Sequence, residues 1–579
     1  MPRSTIALLL SAILTLPAGA DERDVTSLAQ ARSPAQASYD YAQKVRNEVR
    51  AGLKGKSDRP SLEQAAQRLE GLAAWLDTPL PRELGAGSRP LYFRGFDVQR
   101  DLAAIHAQLG NTDKALDALE AMQRHAWLGE AGAMVLGDKA FAPLRAEPRF
   151  QAILQANATP SRMLQDFGAD SPYRERLGVE ERIAGLTQFW SDARQYFVHF
   201  DNVPQLDWNK TYLEFLPRVM AAETTLEYYR VLMQLAPLLR DGHTNIYPPE
   251  QLRDRFFARP ALTTELVDTA VVVTKVTSSA LARRVRVGDE IVAIDGVPVE
   301  RYAEEKVAPF VSSSTPQDRL LRTFSYQLLA GALAEPLRLT LRDATGRERE
   351  ETVARGEMQD LRTDEQFSFR MLEGDIAYLS LEHFESDAGF KAFTAALPKI
   401  MQAKGLVIDV RRNGGGSTVH GERILAHLTR QPIPRAMSFM RDNSITPDGQ
   451  ARMVTWEPMT QTGRAQHPGG DVFTGPVAVL TGAQTFSAAE DFVLAFNALG
   501  RGKTVGAVTG GSTGQPAAIK LPGGGWGRIC IKRDLLPDGG KLVGVGLMPD
   551  IAAAPTLQSV RNGTDPGLER AVSWLRTGR

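Results

Sequence analysis

Apolar residues recur along this chain with two different periods, and the change from one to the other divides it. Between about 21 and 170, and again between about 180 and 240, the spacing is helical. Three helices are predicted at roughly 181–198, 209–221 and 224–240, with Trp190, Phe197, Tyr212, Phe215, Tyr228 and Leu232 in their apolar stripes. The last runs into Asp241-Gly-His-Thr-Asn-Ile246, where glycine ends it. From about 258 to 355 short β-rich runs take over, at Val271–Val276, Glu290–Asp295 and Leu337–Leu341. Beyond about 357 strands and helices alternate. The strands are Asp375–Leu381, Gly405–Val410 and Pro476–Gly482; the helices lie near 388–402, 421–429 and Ser487–Leu499, the last carrying Phe492, Val493, Phe496 and Leu499 at helical spacing. Such alternation predicts a layered α/β core. Residues 434–470 read as a long polar stretch, either a lid or a mobile segment.

Composition narrows the class. The 579 residues are 43% hydrophobic and 23% charged, with 68 basic and 68 acidic side chains. A balanced chain argues against nucleic acid or a polybasic membrane surface as the main partner. The first twenty residues have the form of an export signal: Arg3, an apolar run from Ile6 to Leu16, and a small-residue cleavage site at Ala18-Gly-Ala20. That run is too short to span a bilayer, so the expectation is an exported, periplasmic protein with no span after signal removal. Cys530 is the only cysteine, which excludes an intrachain disulfide and suggests packing, and no zinc-ligand motif is present.

The candidate chemistry sits at two strand ends. Ser487 stands where a buried strand turns into a helix, near the positive end of a helix dipole. Ser-Ala-Ala-Glu is equally a capping box, with Ser487 as N-cap and Glu490 three residues on. The second signal is Asp409-Val-Arg-Arg-Asn-Gly-Gly-Gly-Ser417, a glycine run after a buried strand whose amides could face an oxyanion. The alternative there is a flexible turn; a phosphate loop is disfavoured by the missing G-x-x-x-x-G-K-[ST] spacing.

These two segments together resemble the core of the tail-specific, or C-terminal processing, peptidases, which include tricorn-type enzymes. The resemblance extends to Leu238-Leu-Arg-Asp-Gly-His-Thr244 and Gly544-Val-Gly-Leu-Met-Pro-Asp-Ile551, and covers roughly residues 175–555. Val287-Gly-Asp-Glu-Ile-Val-Ala-Ile-Asp-Gly-Val-Pro298 resembles the central stretch of a PDZ domain, a fold that binds extended peptides by strand addition. Leu109-Gly-Asn-Thr-Asp-Lys-Ala-Leu116 resembles one tetratricopeptide-type hairpin, with an unrelated helical cap as the alternative. The implied organisation is a signal at 1–20, a helical region at 21–170, a helical cap at 171–257, a PDZ-like domain at 258–356 and, at 357–579, an α/β peptidase core of the crotonase/ClpP-like type.

The resemblance implies a serine endopeptidase acting on a peptide or protein substrate, without metal or organic cofactor. Ser487 would be the nucleophile and the amides of Gly414, Gly415 and Ala488 the oxyanion hole. The lysine that serves as base in one branch of the family matches Ser512. The other branch, resembling tricorn, uses a histidine matching His243. An imidazole titrating near pH ~6.5 suits that task. The tricorn serine and glutamate that support the histidine match Gly242 and Val543. Asp241 is the nearest candidate to orient the ring, with Asp534 and Asp538 as others; His420 is a weaker base candidate, and Asp409, Arg411 and Arg412 read as structural. Two other readings stay open: an inactive relative binding a peptide or apolar ligand in the same cleft, and a scaffold docking a protein partner through residues 21–170.

Overall fold

The computed structural model describes residues 33–125, 137–163, 171–356, 367–445, 452–459 and 465–578. The leader-like residues 1–20 lie outside them. The chain divides into two compact units, residues 1–165 and 166–579.

The first unit is helical. α1 (Pro34–Gly52), α2 (Arg59–Leu76), α3 (Pro79–Ala86), α4 (Arg89–Leu109), α5 (Thr112–His125) and α6 (Pro148–Met163) follow one another. Proline opens each of the first four, at a position where its missing N–H would have had no partner anyway. The Leu109–Leu116 stretch is the α4–α5 connection, turned at Gly110 with φ +77°. Leu69, Leu91, Phe141 and Phe150 are buried in its core. The buried Arg46 is compensated by Asp97 (2.9 Å) and Asp101 (2.6 Å).

The second unit opens with α7 (Val179–Tyr196), α8 (Trp208–Ala221) and α9 (Thr225–Leu232). The predicted helix 224–240 stops at Leu232 and gives way to a 3-10 turn, Ala236–Leu239. Pro237, which lacks an N–H and crowds the preceding turn, accounts for the break. β1 (Asn245–Tyr247) follows. β2 (Leu262–Val267), β3 (Ala270–Val276), β4 (Glu290–Ile294), β6 (Leu337–Arg342) and β7 (Glu348–Val353) then form an antiparallel sheet in that order, with β5 (Val297–Pro298) against β4.

The core of this unit is a six-stranded sheet. Its elements in chain order are β8 (Phe367–Leu372), β9 (Ile376–Leu381), α10 (Ala388–Ile400), β10 (Gly405–Asp409), α11 (Thr418–Leu425), β13 (Val477–Thr481), α12 (Ala488–Ala498), β14 (Gly502–Gly506), β18 (Ile551–Ala552) and α13 (Pro566–Thr577). The strand order is β18-β14-β13-β10-β9-β8, parallel except for β8. β10 and β13 are buried at every position, as continuous apolar runs in a parallel sheet require. Their side chains alternate between two cores. Leu406, Ile408, Val477 and Val479 meet Phe393, Ile424, Phe492 and Phe496 of α10, α11 and α12. Val407, Ala478 and Leu480 meet Ala571, Leu568 and Val572 of α13. Each fully buried Leu or Phe contributes about 1.5–3 kcal/mol. The result is a three-layer α/β core that sets the C-terminal ends of β10 and β13 side by side, where ligands gather in open α/β sheets.

The 434–470 stretch is not simply irregular. β11 (Met437–Ile445) and β12 (Arg452–Pro458) form an antiparallel hairpin, and β11 also pairs with β17 (Lys532–Leu535). Exposed Met440, Met453 and Trp456 on the hairpin blur the alternation that would have marked it as strand. Residues 446–451 and 460–464 lie outside the described residues. β15 (Pro516–Leu521) and β16 (Gly525–Cys530) make a small sheet with β1, in which Cys530 is buried against the α7–α9 core. No helix among the described residues is long and apolar enough to cross a membrane.

Candidate active site

Ser487 occupies the turn from β13 into α12 with φ 57° and ψ −125°, a conformation that costs free energy for an L-residue and is tolerated where a site needs it. The strand–turn–helix elbow projects its hydroxyl from the sheet's end. Thr485 pins the elbow: its hydroxyl accepts from Gly482 N–H (3.1 Å) and donates to the Val410 carbonyl of the neighbouring strand (2.8 Å). The capping box is only half made. Ser487 N–H donates to Glu490 Oε2 (3.3 Å), but Glu490 N–H goes to the Ser487 carbonyl (2.8 Å) and not to its hydroxyl. The hydroxyl is therefore free for another partner.

That partner is His243. Its Nε2 lies 3.0 Å from Ser487 Oγ, and its Nδ1 lies 2.9 Å from Ser512 Oγ. The ring stacks on Phe486 at 4.7 Å. It is buried, and burial first, then the charges of Arg528, Arg322 and Lys532, hold its pKa well below the ordinary imidazole value. A neutral ring with a hydroxyl at each nitrogen accepts a proton at Nε2 when Nδ1 carries the hydrogen and donates it to Ser512.

Asp241, a candidate to orient the ring, does not meet it. Its carboxylate accepts from Thr244 Oγ1 (2.6 Å) and Ser314 Oγ (3.2 Å), which closes the turn before β1. Asp534 pairs with Lys532 (2.9 Å) and Asp538 accepts from Gly540 N–H (2.9 Å). The orienting contact comes from Ser512, which motif matching marked only as the place of a missing lysine. The match to that lysine position was the one signal along the sequence that singled out Ser512. Gly242 also has a steric reason: a Cβ there would lie 2.9 Å from Phe486 and 3.0 Å from Asp318, so a serine before the histidine has no room.

Glu490 holds the Ser512 loop in place. It is fully buried and accepts from Thr509 Oγ1 (2.5 Å), Gly511 N–H (2.8 Å), Ser512 N–H (2.8 Å) and Ser487 N–H. Burial pushes its carboxyl up to about 7 against these hydrogen bonds.

The glycine run lies against the elbow. A Cβ on Gly415, which has φ +97°, would sit 2.7 Å from Ser487 Cβ and 2.9 Å from Ala488 N, so only glycine fits. The Gly415 amide, expected at an oxyanion, donates instead to Asn413 Oδ1 (2.9 Å). The local Asx-type turn formed by Asn413 takes it. The amides of Gly414, Gly416 and Ala488 have no hydrogen-bond acceptor among the described residues. Arg411 ties this strand end down, bridging Asp409 (2.6 Å) and Asp565 (2.8 Å); Arg412 reaches Glu382 at 3.7 Å. His420 lies on α11 and is not among the residues lining the cleft.

Ser487 and His243 open into a cleft of about 540 Å³. Gly414–Gly416 and Gln484 line it on one side, and Asp318, Arg322 and Tyr326, from the segment between β5 and β6, on another. His199, Asp241 and Cys530 are the one group among the described residues whose potential metal-ligand atoms converge, within 4.8 Å of one another. Asp241 is already engaged as above, and burial pushes the Cys530 thiol up, away from the thiolate that binds metal.

Residues 375–553, which contain Ser487, the glycine run and Ser512, match the family model described as peptidase family S41. The chain carries a peptidase family S41 domain. Residues 266–339 match the N-terminal domain of S41 peptidases of Bacteroidetes, and the S41 domain therefore sits beside a module that accompanies such domains elsewhere. Among solved structures, mature CPAF complexed with lactacystin shares 15% identity at a TM-score of 0.56, covering 69% of this chain and 99% of that one. Mature CPAF alone gives 16% and 0.53, with the same coverage. At such identities the likeness is one of fold. No curated protein is similar enough in sequence to match.

Proposed function

We propose that this chain is an exported serine endopeptidase of the tail-specific, tricorn-like kind. Ser487 Oγ attacks the carbonyl carbon of a peptide bond while His243 Nε2 takes its proton. The imidazolium returns that proton to the departing amine, leaving an acyl-enzyme. Water then attacks the ester, again through His243, and frees Ser487. The amides of Gly414, Gly416 and Ala488 stabilise the tetrahedral oxyanion. Ser512 positions the ring from Nδ1, in the place where other triads use a carboxylate. The Val287–Pro298 stretch supports a PDZ-like reading of residues 258–356, as a module that holds or gates peptide at the cleft wall. The leader-like residues 1–20 support export to a periplasm.

The observation that carries this reading is the 3.0 Å contact between Ser487 Oγ and His243 Nε2. Treatment with a fluorophosphonate probe is expected to label the protein once, on the tryptic peptide holding Ser487. A label that maps elsewhere, or persists in Ser487→Ala, removes Ser487 as the nucleophile. Ser512→Ala is expected to lower kcat by about 10- to 100-fold with little change in KM or melting temperature, because the ring loses its Nδ1 acceptor but not its place. A change confined to KM would show that Ser512 acts on substrate and not on the ring.

A further inference from the structure

Three cations line the cleft, and two of them are spoken for. Arg322 pairs with Asp318 (2.6 Å) and Lys532 with Asp534 (2.9 Å). The third, Arg528, has no carboxylate within ion-pairing distance among the described residues. Among the described residues its one hydrogen bond to another residue is a long one, from Nη2 to the Gly242 carbonyl (3.4 Å), and its buried Nε has no partner there. A partly buried guanidinium with open donors is a ready partner for an incoming carboxylate. The strand around it is rigid: Arg528 sits in the middle of β16, in register with Asn245 of β1 on one side and Ala518 of β15 on the other. Its guanidinium also lies 5.8 Å from the centre of the Tyr247 ring, a second contact that fixes its direction.

We infer that Arg528 is a subsite for a carboxylate of the substrate, one residue or so from the bond that is cut. This rests on the peptidase reading for what is bound, and on the unpaired guanidinium for where. The bond to the Gly242 carbonyl puts the guanidinium next to the residue preceding His243, within a side chain's length of the reacting atoms. A planar fork of donors with open hydrogens accepts a carboxylate in two-point fashion. The carboxylate can come from an acidic side chain or from a free C-terminus. Its arrival has a second effect: Arg528 is the largest charge opposing protonation of His243, and a carboxylate on Arg528 cancels that field as the imidazolium forms.

The test is binding to the Ser487→Ala protein, measured by calorimetry with matched peptides. Ac-Ala-Ala-Ala-Ala with a free carboxylate is compared with its amide. Ac-Ala-Ala-Glu-Ala-Ala-amide is compared with its Gln counterpart. One acidic member is expected to bind about 10- to 100-fold more tightly than its neutral twin, and which pair shows it tells terminus from side chain. In Ser487→Ala/Arg528→Gln the ratio is expected to fall to about one, and in Ser487→Ala/Arg528→Lys to an intermediate value. An acid preference absent from the parent protein, or unchanged in the Gln variant, overturns the subsite. Fluorophosphonate labelling of the Ser487 protein separates the two claims: acid preference without labelling would leave the subsite and remove the peptidase, and labelling without acid preference would do the reverse.

Discussion

Replacing Ser487 or His243 by alanine is expected to lower kcat/KM on peptides by about 10⁴- to 10⁶-fold, and the double replacement by no more than either alone. The two act as one unit. A serine hydroxyl is a poor nucleophile until its proton has somewhere to go, and a base without its nucleophile has nothing to deprotonate. Residual turnover in each variant should be similar, supported by the Gly414, Gly416 and Ala488 amides. Additive losses would mean that the 3.0 Å contact is not the working one. The wild-type pH profile is a further check on the same ring. A base must be neutral, so activity is present above its pKa and lost below it. Burial and the nearby cations lower that pKa from the ordinary 6.5, so the acidic limb of kcat/KM should fall well below pH 6.5. A limb at or above it would mean that substrate or solvent relieves the burial of His243.

Glu490→Gln is expected to destabilise the protein by about 2 kcal/mol at pH 7.5, and by more toward pH 5. The carboxylate receives four donors, three of them backbone N–H groups. An amide keeps one oxygen and turns an NH₂ on the rest. The pH trend follows from the raised pKa. Folded Glu490 titrates at about 7 and the unfolded side chain at its ordinary 4.5. Between those values the native state holds the extra proton, so the stability of the wild type falls as pH rises through that window and levels off above 7. The full change is on the order of 3 kcal/mol, and the Gln variant lacks it. Denaturant titrations of both proteins between pH 4.5 and 8 should show the gap narrowing with pH; parallel curves would mean that Glu490 is ionised throughout.

Periodicity made the central sheet legible because β10 and β13 are wrapped on both faces, and such strands write themselves as unbroken apolar runs. The Ser487 elbow was legible for a related reason, lying between one of those runs and a helix with a clear stripe. Motif order brought in the glycine run and His243. What could not be read was how side chains meet. Ser512 is 269 residues from His243, in a loop with no period of its own. Nothing along the sequence shows that Asn413 takes the Gly415 amide, or that Asp241 turns toward Thr244 and Ser314. The β11–β12 hairpin was missed because its apolar side chains point outward as well as in. The capping box was a local reading that the folded structure keeps only in part, since the Ser487 hydroxyl faces His243 and not the Glu490 amide.

The contact between Ser487 and His243 closes a loop of 244 residues. One partner rides on the parallel sheet, and the other stands just before β1, which is held by β16. Long-range pairings of this kind form late, because closing a long loop costs entropy before it returns any contact energy. A nascent or partly unfolded chain is therefore expected to have Ser487 without His243 beside it. Under the proposed mechanism, peptide hydrolysis would begin only once the whole second unit has closed and brought these two side chains together.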